Sequence, residues 1–254
     1  ATIDYRLVDA LLFDTFQLAD VVMRATADMK AAVRYLRADA ATDNQFRIDS
    51  DLIFAGGISA GAITADHAAY LDEEDDIAQY ILDIIETNGG IEGNSNDLEY
   101  SSSIQGVLNY SGALKESNWI DADEAPFFSA HDDMDPTVPY GNAFFDTGFG
   151  LRTYLEGSGS MANVATSIGL TNDLLTIPNS DGHVSYFSDN AATYAAEVAM
   201  RSEIFLHNIV CDAVSSRKEA ETAQETLAAA ITLSPNPSST DVWIELKEVP
   251  ADFD

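Results

Sequence analysis

The stretch Asp51-Leu52-Ile53-Phe54-Ala55-Gly56-Gly57-Ile58-Ser59-Ala60-Gly61-Ala62 decides the reading of this 254-residue chain. It opens as a short apolar run, residues 51–55, which predicts a buried strand, with Gly56-Gly57 ending it. A helix of small residues is expected from Ala60 to Tyr70. Between the two lies Gly57-Ile58-Ser59-Ala60-Gly61, a G-x-S-x-G pattern in the strand–turn–helix context that makes it informative. Such a turn holds the serine in strained backbone, so its neighbours must be small. The hydroxyl then stands at the strand's end, where the N-terminus of the following helix favours developing negative charge.

Working outward, helical spacing of Met29, Ala32, Val33 and Leu36 predicts a helix over residues 26–39, with Thr26 or Asp28 as its cap. Residues 1–7 read as a short strand. The acidic run Asp72-Glu73-Glu74-Asp75-Asp76 reads as a solvated helix start, with helix continuing over 77–85. Residues 88–103 read as a loop. Residues 104–110, 126–131 and 174–177 read as strands, and residues 142–155 and 191–210 as helices. Strands alternating with helices predict an α/β fold, a mainly parallel sheet covered on both faces, with the site beyond the carboxyl ends of its strands.

A serine hydroxyl needs a base, and the base needs an orienting carboxylate. In sheets that carry the nucleophile on this turn, the chain order is serine, acid, histidine. Of the four histidines, His67 precedes every candidate acid, His131 ends a strand directly before the acidic loop, and His207 sits among apolar helix neighbours. His183 remains, in the loop Asn179-Ser180-Asp181-Gly182-His183. The acid comes from the loop His131-Asp132-Asp133-Met134-Asp135-Pro136-Thr137-Val138-Pro139-Tyr140, where charge alone does not choose among three aspartates.

Composition bounds the partners. Lys plus Arg is 12 and Asp plus Glu is 43, a net charge of −31. Such a surface repels phosphate backbones, which argues against nucleic acid as a partner. No apolar run reaches the ~18 residues of a membrane span. The single cysteine, Cys211, cannot form an internal disulfide and is expected in the core, closing the last helix. No cofactor or metal is called for.

Residues 27–37 followed by Ile53 to Ala62, with Ser111-Gly112-Ala113 after a further strand, resemble the middle of α/β-hydrolase-fold serine esterases of the carboxylesterase and lipase-like group. The acidic loop resembles that group's H-G-T-x-D-x-x-V-P-Y pattern. The resemblance assigns the acid to Asp135, since Val138-Pro139-Tyr140 follow at the group's spacing, while Asp132 and Asp133 stand in place of its Gly and Thr. It implies a Ser59–Asp135–His183 triad acting on a small or polymeric ester through an acyl-enzyme, with the Ala60 N–H in the oxyanion hole. It also makes residues 1–7 the fourth strand of a sheet whose first three strands, and the loop with the second oxyanion donor, lie upstream of this chain. A prolyl-oligopeptidase-type peptidase or a non-catalytic module on the same fold are the alternatives.

Leu233-Ser234-Pro235-Asn236-Pro237-Ser238, then Asp241-Val242-Trp243-Ile244, resembles the start of the C-terminal sorting domain of type IX secretion in Bacteroidetes. That resemblance implies export by a Gram-negative secretion machinery to the surface or medium. The expected organisation is a catalytic domain over residues 1–211, a linker over 212–230 and a β tail over 231–254.

Overall fold

The computed structural model describes residues 1–7, 14–146, 152–235 and 242–246. The chain divides into two compact units, Ala1–Leu206 and His207–Asp254. In chain order the elements are α1 (Thr15–Ala41), β1 (Ala55–Ile58), α2 (Ala60–Tyr70), α3 (Gln79–Thr87), β2 (Val107–Tyr110), β3 (Ala113–Leu114), β4 (Phe127–Asp132), β5 (Asn142–Asp146), β6 (Arg152–Gly157), α4 (Ser158–Ile168), β7 (Asn172–Ile177), α5 (Ala191–Ala230), β8 (Ile231–Pro235) and β9 (Val242–Leu246).

In the first unit four parallel strands form one sheet in the order β1-β2-β4-β7. Every residue of β4 is buried, as a central parallel strand covered on both faces requires. Phe127 and Phe128 of β4, Val107 of β2 and Ala62 and Ala65 of α2 are fully enclosed. Register aligns the strand ends: Ile58 pairs with Tyr110, Tyr110 with Ala130, and Ala130 with Leu175. The residues that follow, Ser59, Ser111, His131 and Thr176, therefore reach one level at the carboxyl edge of the sheet. A second sheet, antiparallel, runs β3-β6-β5.

Several sequence-based expectations change. The strand expected over 51–55 forms instead over Ala55–Ile58, with both glycines inside it. Their lack of a side chain is used there. A Cβ on Gly57 would lie 2.2 Å from the Gly61 carbonyl carbon, so only glycine lets α2 cross β1 this closely. Residues 1–7 form no strand. The Arg6 N–H donates to the Asp28 carboxylate (2.8 Å) rather than to a strand neighbour. Helix α1 begins well before residue 26, at a cap where Asp14 accepts from the Gln17 N–H (2.8 Å). Asp28 caps nothing, because its carboxylate is engaged by Arg6.

The helix expected over 142–155 is the antiparallel pair β5–β6. Aromatic and β-branched residues such as Phe144, Thr153 and Tyr154 favour strand there, and the Phe144 and Tyr154 rings meet edge to face at 5.6 Å. Helix α4, which follows directly, was not anticipated. The acidic run at 72–76 closes on itself: Asp72 N–H donates to Asp75 (2.9 Å) and Glu74 N–H to Asp72 (2.8 Å). The helix behind it starts only at Gln79. Among the described residues no helix is long and apolar enough to cross a membrane.

In the second unit β8 and β9 pair antiparallel, Leu233 opposite Ile244. Asn236-Pro237-Ser238 and Asp241 of the proposed sorting motif lie outside the described residues. Cys211 is exposed rather than in the core, its Sγ 3.4 Å from His207 Nε2 one helical turn away.

Candidate active site

Ser59 occupies the single residue between β1 and α2 with φ 55° and ψ −120°. That is left-handed backbone, unusual for a residue with a side chain and found where a surrounding structure holds it. Here the holding bonds are Ser59 N–H to Tyr110 O (2.8 Å) and Ile63 N–H to Ser59 O (3.0 Å). Ala60 opens α2, so its N–H belongs to the first helical turn, where backbone donors lack intrahelical partners.

His183 reaches this serine from the loop after β7. Its Nε2 lies 2.8 Å from Ser59 Oγ, and its Nδ1 lies 2.7 Å from Asp135 Oδ2. The histidine side chain is 24% exposed and that of Asp135 is fully enclosed, so the serine end opens to solvent and the acid end is sealed. Val184, directly after His183, is also left-handed at φ 57°, which turns the chain back into the molecule.

The Asp135 carboxylate is surrounded by donors. Oδ1 accepts from the N–H groups of Thr137 (2.7 Å) and Val138 (3.1 Å). Oδ2 faces His183 and also His131 Nε2, 3.4 Å away. Burial alone would push this carboxyl up. The bonds from His131 and His183 and the Thr137 N–H outweigh it and hold the group well below the usual carboxylate range.

Asp132 and Asp133, the other two aspartates of the loop, face away from His183 and tie the loops together. Asp132 accepts from the Ser185 N–H (2.9 Å) and the Ser185 hydroxyl. Asp133 accepts from the N–H groups of Asn179 and Ser180, both at 3.0 Å. Two backbone bonds, Asp133 N–H to Ile177 O (3.1 Å) and Met134 N–H to Ser180 O (3.0 Å), complete the join. The histidine loop is therefore clamped onto the acid loop by two of its three aspartates, and the third meets the histidine.

His67 is buried in α2 with Nδ1 2.8 Å from Ile63 O and Nε2 accepting from the Lys115 N–H (3.3 Å). Burial brings its pKa down to about 4, so it stays neutral. His207 is exposed on α5. His131 touches the acid itself, a contact that sequence reasoning missed. Among the described residues no group of three or more His, Cys, Asp or Glu side chains is placed to hold a metal ion.

A parallel sheet flanked by helices, with a serine on a strained strand-to-helix turn, defines the fold as that of the α/β-hydrolases. No protein-family model matches the chain, and no curated protein sequence does. Solved structures with the same fold include an esterase from the Planctomycetes species Thermogutta terrifontis, Est2. With propionate bound it is 17% identical at a TM-score of 0.53, covering 74% of this chain and 66% of its own. The paraoxon-phosphorylated form of esterase 2 is 18% identical at a TM-score of 0.56, covering 81% and 68%. The chain thus spans about two thirds of the length of these structures.

Proposed function

We propose that the chain is a serine carboxylic ester hydrolase working through Ser59, His183 and Asp135. The observation that carries this reading is the continuous hydrogen-bond line Ser59 Oγ–His183–Asp135, at 2.8 and 2.7 Å, starting from a serine in left-handed backbone. Structures of the same fold that are described as esterases, one of them phosphorylated by paraoxon, add support.

In this mechanism Ser59 Oγ attacks the ester carbonyl carbon as His183 Nε2 takes the hydroxyl proton. The Ala60 N–H stabilises the carbonyl oxygen as it becomes an oxyanion. His183 returns the proton to the leaving alcohol, and the acyl group stays on Ser59. Water then gives a proton to His183 and attacks the acyl carbon; the bond to Ser59 Oγ breaks, His183 returns the proton to that oxygen, and the carboxylic acid leaves. Asp135 keeps the Nδ1–H tautomer, so that Nε2 is the basic nitrogen facing Ser59.

The test is labelling with a serine-directed fluorophosphonate, together with hydrolysis of p-nitrophenyl esters of graded acyl length. Wild type should label once and turn over, and Ser59→Ala should lose both with its circular dichroism spectrum unchanged. Labelling without ester turnover, but with cleavage of a proline-containing peptide, would favour a peptidase. No labelling at all would favour a non-catalytic module.

We also propose that residues 231–254 begin a sorting domain for type IX secretion. Support comes from the motif and from the β8–β9 pairing. Deleting 231–254 should stop release from a Bacteroidetes host while leaving ester hydrolysis by the purified protein intact. Unimpaired release would remove this reading.

A further inference from the structure

We propose that His131 is a positioning residue for the acid: a second, buried imidazole that, held by Ser158, fixes the Asp135 carboxylate and shares its charge with His183. The proposal rests on the ester-hydrolase reading above and adds to it a fourth and a fifth side chain.

His131 is 0% exposed, the last residue but one of β4. Its Nε2 lies 3.1 Å from Val138 O and 3.4 Å from Asp135 Oδ2. A carbonyl oxygen accepts and cannot donate, so Nε2 carries the proton and directs it between these two oxygens. In the neutral ring Nδ1 is then a lone pair, placed to accept from the Ser158 hydroxyl, 2.8 Å away and itself fully buried at the start of α4. The tautomer of His131 is thus set by its acceptors on one side and by Ser158 on the other.

The ring also closes a small circuit. Val138 accepts from His131 through its carbonyl and donates to Asp135 Oδ1 through its N–H (3.1 Å). The turn from Asp135 to Val138 therefore wraps the imidazole. With Thr137 and Val138 on Oδ1 and two histidines on Oδ2, the carboxylate plane has no free rotation. A charge divided between two imidazoles also attracts the proton on His183 less than an undivided one does. His131 thus acts on His183 through the carboxylate that the two rings share.

The charged and titratable groups facing this cluster are accounted for. Asp132 is bound by Ser185, and Asp133 by Asn179 and Ser180. Tyr140 meets the His131 ring edge to face at 5.7 Å, with its hydroxyl 2.9 Å from Thr176 Oγ1. Tyr186 donates to Ala130 O (3.0 Å) and lies 3.0 Å from Ser111 Oγ.

The experiment compares His131→Leu, His131→Gln and Ser158→Ala by kcat, KM and the pH profile of kcat/KM, and follows imidazole nitrogen and proton resonances in wild type and Asp135→Asn. His131→Leu should lower kcat about 10- to 100-fold with KM nearly unchanged, and move the acid limb of kcat/KM to higher pH. His131→Gln, whose amide N–H can reach the same oxygens, should recover most of the rate. Ser158→Ala should shift the profile in the same direction by less. In wild type the His131 resonances should be those of the neutral Nε2–H form and should move in Asp135→Asn. The resonances need no turnover, so a protein without esterase activity would fail the functional reading while still testing this contact. A folded His131→Leu with wild-type kcat and limb would overturn the proposal. If His131→Leu does not fold, an unchanged pH profile in Ser158→Ala together with His131 resonances indifferent to Asp135→Asn would do so.

Discussion

The two ends of strand β4 both gather carboxylates, and they treat them in opposite ways. At the carboxyl end, Asp132, Asp133 and Asp135 each accept two or more hydrogen bonds from N–H and O–H groups of the joined loops. At the amino end, Glu124 accepts one backbone bond from Asp121 N–H (2.8 Å), and Asp75 one from Asp72 N–H (2.9 Å). Burial and the surrounding acids raise both there, Glu124 to about 8 and Asp75 to about 6. In a chain of net charge −31, negative charge alone therefore marks no site. What separates the two ends is the supply of donors, which comes from backbone geometry beyond the strand.

The sharpest way to break this contrast is Asp135→Asn. It should leave the fold and the serine in place and lower kcat by about four orders of magnitude, because the amide favours the wrong His183 tautomer. Steady-state turnover after active-site titration measures it. A loss of under about tenfold would mean that the acid lies elsewhere.

Asp132→Asn should act on stability. The amide can accept from one Ser185 donor but turns its own N–H toward the other, and the site is fully buried. We expect a loss of about 2 kcal/mol in urea unfolding, with the Ser59–His183–Asp135 contacts retained.

The smallest effect belongs to Glu124→Gln, and its sign is opposite to that at the carboxyl end of the strand. With a folded pKa of about 8 against an ordinary 4.5, the folded state keeps a proton that the unfolded state releases. The stability this carries is full below pH 4.5 and lost as pH rises to about 8. Glu124→Gln should therefore gain relative to wild type at pH 9, by about 2 °C in Tm or less, since the side chain is only partly buried. Asp135, held below its ordinary 3.8, contributes stability that is full above that pH and lost as the solution becomes more acidic. The wild-type advantage over Asp135→Asn should accordingly shrink below about pH 4, and thermal melts across pH would read both slopes. Slopes of the same sign would break the comparison.

Much of the site was legible along the chain. The turn at Ser59 carries its own local requirements, small neighbours and a strand–helix context, and α2 runs over Ala60–Tyr70 as its small-residue pattern predicts. Chain order left His183 as the base candidate, and it lies against Ser59. The errors fall where a side chain's actual partner overrides its usual local role. Asp28 reads as a cap until Arg6 binds it, and the Asp72–Asp76 run reads as a helix start until its carboxylates accept from their own backbone. The helix expected over 142–155 failed because the pairing of β5 with β6 joins residues that no local pattern links.

The sequence by itself determined the turn at Ser59 and the small-residue helix behind it, because each depends on residues within a few positions of one another. Charge along the chain did not choose which aspartate meets His183; the resemblance pointed to Asp135, and tertiary structure brings it there and sets His131 beside it. Asp132, Asp133 and Asp135 are chemically alike in sequence. Their roles separate only when pairing of β4 with β7 brings the loop at Asn179–Ser185 against the loop at Asp132–Val138 and deals out its donors: Ser185 to the first, Asn179 and Ser180 to the second, and the imidazole of His183 to the third.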